Sequence, residues 1–387
     1  MLFPVESNRP PHPYQSKKKL FFVPIALVLL LIGLAVISCS RQPQPQNAYP
    51  TAGRLVITQQ FRPTATRIPI DHKAEKEHIA TLHAAHAATP QPPGLPGVEQ
   101  LSAQVNLERM LADLTWLAAD ARQGRLAGTP SEDEVGQWLV ERMVALGLQP
   151  FTDAGFDQYL QPFDSAIPGQ QAENVIAVLP AGQQPPAGYL IIGAHYDHIG
   201  VSPQGQVFNG ADDDASGVIV VLETARILSE SGISPRASIV FVLFSSEESG
   251  LLGSEAFARQ LSEAGLVEKS AFINLEMLGA VKGTDTFIDL WDQDNTISDP
   301  LAEVVLAAGQ QMSIPIQHLG VDPGSDAWQM LAYGIPSITL STAWEDGANH
   351  PYYHSPADDV ENIEPQGLLD AAKIILASAW RIAYDTP

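Results

Sequence analysis

The sequence predicts an α/β protein, with a mainly parallel (mixed) central sheet and helices on both faces. Three observations predict it. Five short, β-branched runs are apolar along most of their length, as strands buried on both faces are: N-V-I-A-V-L (174–179), Y-L-I-I-G-A-H (189–195), A-S-I-V-F-V-L-F (237–244), A-F-I-N-L-E (271–276) and P-S-I-T-L (336–340). Segments with the 3.6-residue period of helices separate them. The chain is also 45% hydrophobic over 387 residues, enough for a substantial core.

Taken in order, the chain opens with Lys17-Lys18-Lys19 ahead of an apolar stretch from Leu20 to Ile37, the n-region and h-region of a secretory signal. The stretch ends in V-I-S-C (36–39), which resembles the lipobox of bacterial lipoproteins. There a small residue precedes a cysteine that is diacylated and becomes the mature N-terminus. An uncleaved transmembrane helix is the other account, since the apolar stretch just reaches spanning length. Either way residues 1–39 are a signal or membrane anchor, and the bulk of the chain lies outside the cytoplasmic membrane. Cys39 is the only cysteine, so no internal disulfide forms.

Residues 40–98, rich in Pro, Gln, Ala and Thr, carry too few large apolar residues for a core and read as a tether. Within it, residues 71–89 are expected to form a polar helix. Its His72, His78, His83 and His86 do not share one face, so no metal site is expected there. From Glu99 onward helices are expected at 105–118 and at 135–147, the second closed by Gly147. Others follow near 216–230, 253–265, 298–310, 325–333 and 365–383. Residues 99–387 thus form one domain, with no internal repeat.

The formal charge is −23, and the segment before Cys39 is net positive, so the remainder is more acidic still. Such a surface repels phosphate backbones and discounts nucleic acid as a partner.

In a sheet of this kind ligands bind beyond the carboxyl ends of the strands. His195-Tyr196-Asp197-His198 follows the second strand, and Asp212-Asp213-Asp214 the next loop. Glu247-Glu248 follows the third strand, Glu276 ends the fourth, and Tyr353-His354 lies beyond the last. Imidazoles and carboxylates are zinc's ligands, and a two-metal hydrolase needs about three per ion with one carboxylate shared. Adjacent Glu247 and Glu248 make sense as one ligand and one general base, because successive side chains diverge. Asp212 and Asp214 are expected as a helix cap and a supporting residue, and His198, His318 and His350 as loop or surface histidines.

The motifs G-A-H-Y-D-H, G-A-D-D-D-A-S-G, S-E-E-S-G-L-L-G-S, N-L-E-M-L-G and Y-H-S-P-A-D, in that order and spacing, resemble the M28 family of two-zinc aminopeptidases over roughly residues 105–385. The resemblance implies the two-zinc exopeptidase (phosphorylase/hydrolase-like) fold and two zinc ions per chain. His195 and Glu276 would bind one ion, Glu248 and His354 the other, and Asp213 both. Asp197 would orient His195, Glu247 would be the general base, and Tyr353 would stabilise the oxyanion. It also implies peptide substrates with a free N-terminus. Glu276 stands where many members carry aspartate, and Ala327 where many carry histidine.

A carboxypeptidase or a glutaminyl cyclase on the same fold are the enzyme alternatives, and an inactive surface-binding scaffold is the non-enzymatic one. Neither Gly-x-Ser-x-Gly nor His-Glu-x-x-His occurs, which argues against a serine hydrolase and against zincin chemistry. Side-chain preference and oligomeric state are not readable from the sequence.

Overall fold

A computed structural model describes residues 97–384 apart from 285, 294, 323 and 343–348. The expected anchor, the tether and its histidine-bearing helix lie outside the described residues, as does most of the loop 343–352. Among the described residues no helix is long and apolar enough to cross a membrane.

Eight strands form one mixed sheet. They are β1 (Leu160–Asp164), β2 (Gln171–Leu179), β3 (Tyr189–His195), β4 (Ser238–Phe244), β5 (Ser270–Leu275), β6 (Ile288–Trp291), β7 (Ile316–Leu319) and β8 (Ser337–Thr342). Their spatial order is β1-β2-β4-β3-β5-β8-β6-β7. The contiguous set β4-β3-β5-β8 is parallel, whereas β1, β2 and β6 join antiparallel. Five of the strands coincide with the expected runs. β1, β6 and β7 were not expected: β1 carries Pro162, and β6 and β7 are four residues each.

The helices are α1 (Val98–Ser102), α2 (Leu107–Leu117), α3 (Pro130–Ala145), α4 (Ser216–Glu230), α5 (Leu252–Glu263), α6 (Asp299–Met312), α7 (Ala327–Ala332) and α8 (Pro365–Ala379). Alternation along the central strands shows that both sheet faces are covered. Leu190 and Ile192 of β3 pack with Ile239, Phe241 and Leu243 of β4 into the core beneath α2, α3, α4 and α8. Ile191, Val240, Val242 and Phe244 pack on the other face with Phe257 and Leu261 of α5 and Met330 of α7. Each of these side chains contributes about 1.5–3 kcal/mol of burial. β3, β4 and β5 are consequently fixed on all sides, and their carboxyl ends open at one edge of the sheet.

Candidate metal and catalytic centre

Those carboxyl ends carry the chemistry. His195 is the last residue of β3 and has no exposed surface. Its Nε2 lies 3.1 Å from Glu276 Oε1 and 3.2 Å from Asp213 Oδ1. Its Nδ1 lies 3.2 Å from the Asp197 carbonyl and 3.6 Å from the Asp197 carboxylate, and Asp197 Oδ1 accepts the Glu247 N–H at 3.0 Å. Asp197 thereby ties the exit of β3 to Glu247, three residues beyond β4.

The other oxygen of Asp213 faces a second set of donors. Oδ2 lies 3.2 Å from His354 Nε2 and 3.7 Å from His198 Nδ1. Glu248 completes the set, with Oε2 2.9 Å from His354 and Oε1 2.7 Å from His198. Asp213 is therefore common to two groups, His195-Asp213-Glu276 and His198-Asp213-Glu248. In each, the donor atoms lie within 4.8 Å of one another. The Tyr353 ring stacks on His354 at 3.9 Å and lines the same cleft.

Backbone geometry presents these side chains. Ser246, Met277 and His354 have φ of +60°, +48° and +52°, so three non-glycine residues at or next to the site occupy the left-handed region, costing about 1–3 kcal/mol each. Gly210, at φ +56°, leads into the aspartate turn. A Cβ there would collide with the Asp213 carbonyl and the His198 ring. Asp358 accepts the N–H of Asp212 at 2.8 Å and of Asp213 at 3.1 Å, which fixes the turn.

The three aspartates play separate parts. Asp214, not Asp212, caps α4, with Oδ1 accepting the Gly217 N–H at 3.0 Å, and it also accepts the N–H of Met277 and of His195. Asp212 instead accepts the Gly279 N–H at 2.7 Å and pairs with His350 Nδ1 at 2.5 Å.

Two histidine expectations are corrected. His350 is 4% exposed and pinned between Asp212 and the Thr342 carbonyl, and His198 is fully buried against Glu248 and Asp213. His318 is half-exposed as expected, although on β7 and paired with Asp292. Sequence reasoning also passed over Arg125. Its fully buried guanidinium donates to the carbonyls of Tyr196, Leu117, Asn209 and Gly210.

The electrostatics are those of clustered carboxylates and imidazoles buried together. Burial raises the Glu247 carboxyl well above the usual range, and Glu276 and Glu248 raise it further. Glu276 is raised for the same first reason. Burial opposes the charge on His195 and His354, but the surrounding carboxylates outweigh it, lifting His195 well above its ordinary value and His354 to about 10. Asp213, flanked by these imidazoles, is held well below the carboxylate range despite its burial.

A divalent cation fits these donors. Asp213 Oδ2, Glu248 Oε1 and both ring nitrogens of His198 are buried with no hydrogen-bond partner, and the 2.7 Å approach of His198 to Glu248 lacks hydrogen-bond angles. Such orphaned atoms are costly unless something coordinates them. Mixed imidazole and carboxylate donors suit zinc and its neighbours in the first transition row.

The model of peptidase family M28 matches residues 174–379, more than half of the chain. Aminopeptidase YwaD of Bacillus subtilis (strain 168) is 27% identical over 228 residues. The match covers 56% of this chain and 46% of YwaD, so the chain spans about half the length of that relative. Two solved structures share the fold. The zinc aminopeptidase BSAP from Bacillus subtilis has a TM-score of 0.61 and 19% identity, covering 76% of this chain and 97% of that one. A glutaminyl cyclase from Porphyromonas gingivalis has a TM-score of 0.59 and 22% identity, covering 72% and 98%. The ordered motifs, the fold around them and the match to the family model agree: this chain belongs to peptidase family M28.

Proposed function

We propose that this protein is a two-zinc aminopeptidase, anchored at the outer face of the cytoplasmic membrane, that removes N-terminal residues from peptides. The observation that carries the reading is Asp213, a single buried carboxylate whose two oxygens face two separate groups of imidazole and carboxylate donors. The printed descriptions of its relatives as aminopeptidases and zinc enzymes support it.

In this reading His195, Asp213 and Glu276 hold one ion, and Asp213, Glu248 and His354 the other. When bound, the ions lower the pKa of water and polarise a carbonyl. Glu247 takes the proton of the attacking water and passes it to the departing amine. A carboxyl raised by burial suits a group that must accept and then return a proton near neutrality. Tyr353, whose phenol is protonated near neutrality, donates to the developing oxyanion. Asp197 holds the His195 ring. The carboxylates of the cleft attract the free α-amine and so select the N-terminal residue.

The cyclase on the same fold is the second reading, since a glutaminyl cyclase shares this fold. Against it stands the completeness of both donor groups. The carboxypeptidase and binding-scaffold readings remain outcomes of the same experiment, which measures metal content and release from aminoacyl-p-nitroanilides with and without chelator. The expected result is two zinc ions per chain and chelator-sensitive release. Metal without release moves the reading to a carboxypeptidase or cyclase, and no metal moves it to the scaffold.

The anchoring part rests on the signal-like residues 1–39. A mass spectrum of membrane-extracted protein is expected to show a lipid-modified Cys39 at the N-terminus. Intact residues 1–39 would instead mean a membrane-spanning helix.

A further inference from the structure

The cleft that holds the two donor groups is lined further by Met277 and Trp291 and by the polar residues Asp322, Ser325, Thr339 and Ser341, which form its floor. None of these residues has a part in the chemistry above. Asp322 is 4% exposed, and its carboxylate accepts from five donors. They are Gln293 Nε2, Ser325 Oγ, Thr339 Oγ1, the Gly324 N–H and Trp328 Nε1. All five are neutral, and among the described residues no Lys, Arg or His pairs with Asp322. Its charge is solvated by dipoles and not cancelled.

Most of the floor's donors are already committed. The hydroxyl protons of Ser325 and Thr339 lie within a triangle with Asp322, whose edges are 2.7, 2.8 and 2.9 Å. The Trp291 indole N–H goes to Ser341 Oγ at 3.1 Å. What remains for a ligand is chiefly the negative charge of Asp322. Met277 and Trp291 form an apolar passage to this floor, which fits a methylene stem, and an indole face attracts a cation.

We infer that this floor receives the side chain of the substrate's first residue and selects a cationic one, lysine or arginine. The inference rests on the aminopeptidase reading and names its substrate class. A long side chain lays its methylenes along Met277 and Trp291 and brings its positive charge toward the Asp322 carboxylate. An acidic side chain meets like charge there and is refused.

The test compares kcat/KM of the full-length protein on the p-nitroanilides of lysine, arginine, norleucine and glutamate. Norleucine matches the lysine stem and lacks its ammonium. Lysine and arginine are expected to exceed norleucine by about tenfold or more, the scale of charge-assisted hydrogen bonds, with glutamate lowest. Asp322→Asn is expected to bring the lysine-to-norleucine ratio close to unity. Circular dichroism checks its fold, and should it not fold, the wild-type ratio decides. Norleucine turned over as well as lysine overturns the inference alone. No release from any anilide overturns the aminopeptidase reading, and the inference with it.

Discussion

The two donor groups that share Asp213 are built differently. His195 and Glu276 sit at the ends of β3 and β5, neighbouring strands of the parallel centre, and His195 has no exposed surface. In the second group Glu248 follows β4 by four residues and meets two imidazoles, the fully buried His198 and His354, which comes from a loop with φ at +52° and a side chain 36% exposed. Ladder hydrogen bonds set the first group, and loop conformation sets the second. The lesson is that one carboxylate joins a half-site presented by strand ends to one presented by loops, so the two ions of the proposed enzyme are not held alike.

The largest expected effect removes the distinction altogether. Asp213→Ala takes a ligand from both groups, and both ions and at least about 10³-fold of kcat/KM should be lost together, read by elemental analysis and anilide kinetics. Retention of either ion would mean that Asp213 is not shared. Next, Glu247→Gln leaves every donor in place; metal content should be unchanged while kcat falls by about 10²–10⁴-fold. A variant that kept wild-type turnover would remove Glu247 from its role as base.

The comparison itself is tested by dialysing His195→Ala and His354→Ala against a graded chelator. His354→Ala should retain about one ion of the two, held by the strand-end group. Equal loss in both variants would show that the halves do not differ.

The smallest effect concerns the scaffold under the strand-end half. Glu132 accepts from the Tyr196 and Ser245 hydroxyls and from the Gly128 N–H, so it joins the exits of β3 and β4, and burial lifts its carboxyl to about 8. Its folded value lies above its unfolded one, so the stability it contributes is full below about pH 4.5 and is lost as pH rises through about 8. Glu132→Gln should flatten that part of the pH dependence of Tm, a difference of a few degrees between the proteins. Identical pH profiles for the two proteins would mean that Glu132 keeps an ordinary carboxyl.

The central strands were readable because continuous β-branched runs have few other uses, and the polar residues at their exits stood out against them. β1 was hidden by Pro162, which argues against a strand except at a sheet edge, where β1 lies. β6 and β7 are too short to show a period. At the site, the ordered motifs brought Asp213, Glu247 and His354 into view. His350 was missed because its partner, Asp212, is 138 residues away and only tertiary structure joins them. His198 stood inside a quoted motif, but nothing local distinguishes a buried imidazole from an exposed one. Asp358 likewise closed the motif Y-H-S-P-A-D, with nothing in the sequence to show that it holds the aspartate turn.

Arg125 bears on how the aspartate turn is held. Its guanidinium is sealed under the site by four carbonyls, and the charges of Asp358, Asp197, Asp213 and Asp214 all act on it. Together with the imidazoles of the site, this guanidinium offsets part of the repulsion among the clustered carboxylates. The aspartate turn is therefore held from below by the scaffold itself, through the Asn209 and Gly210 carbonyls that lead into it.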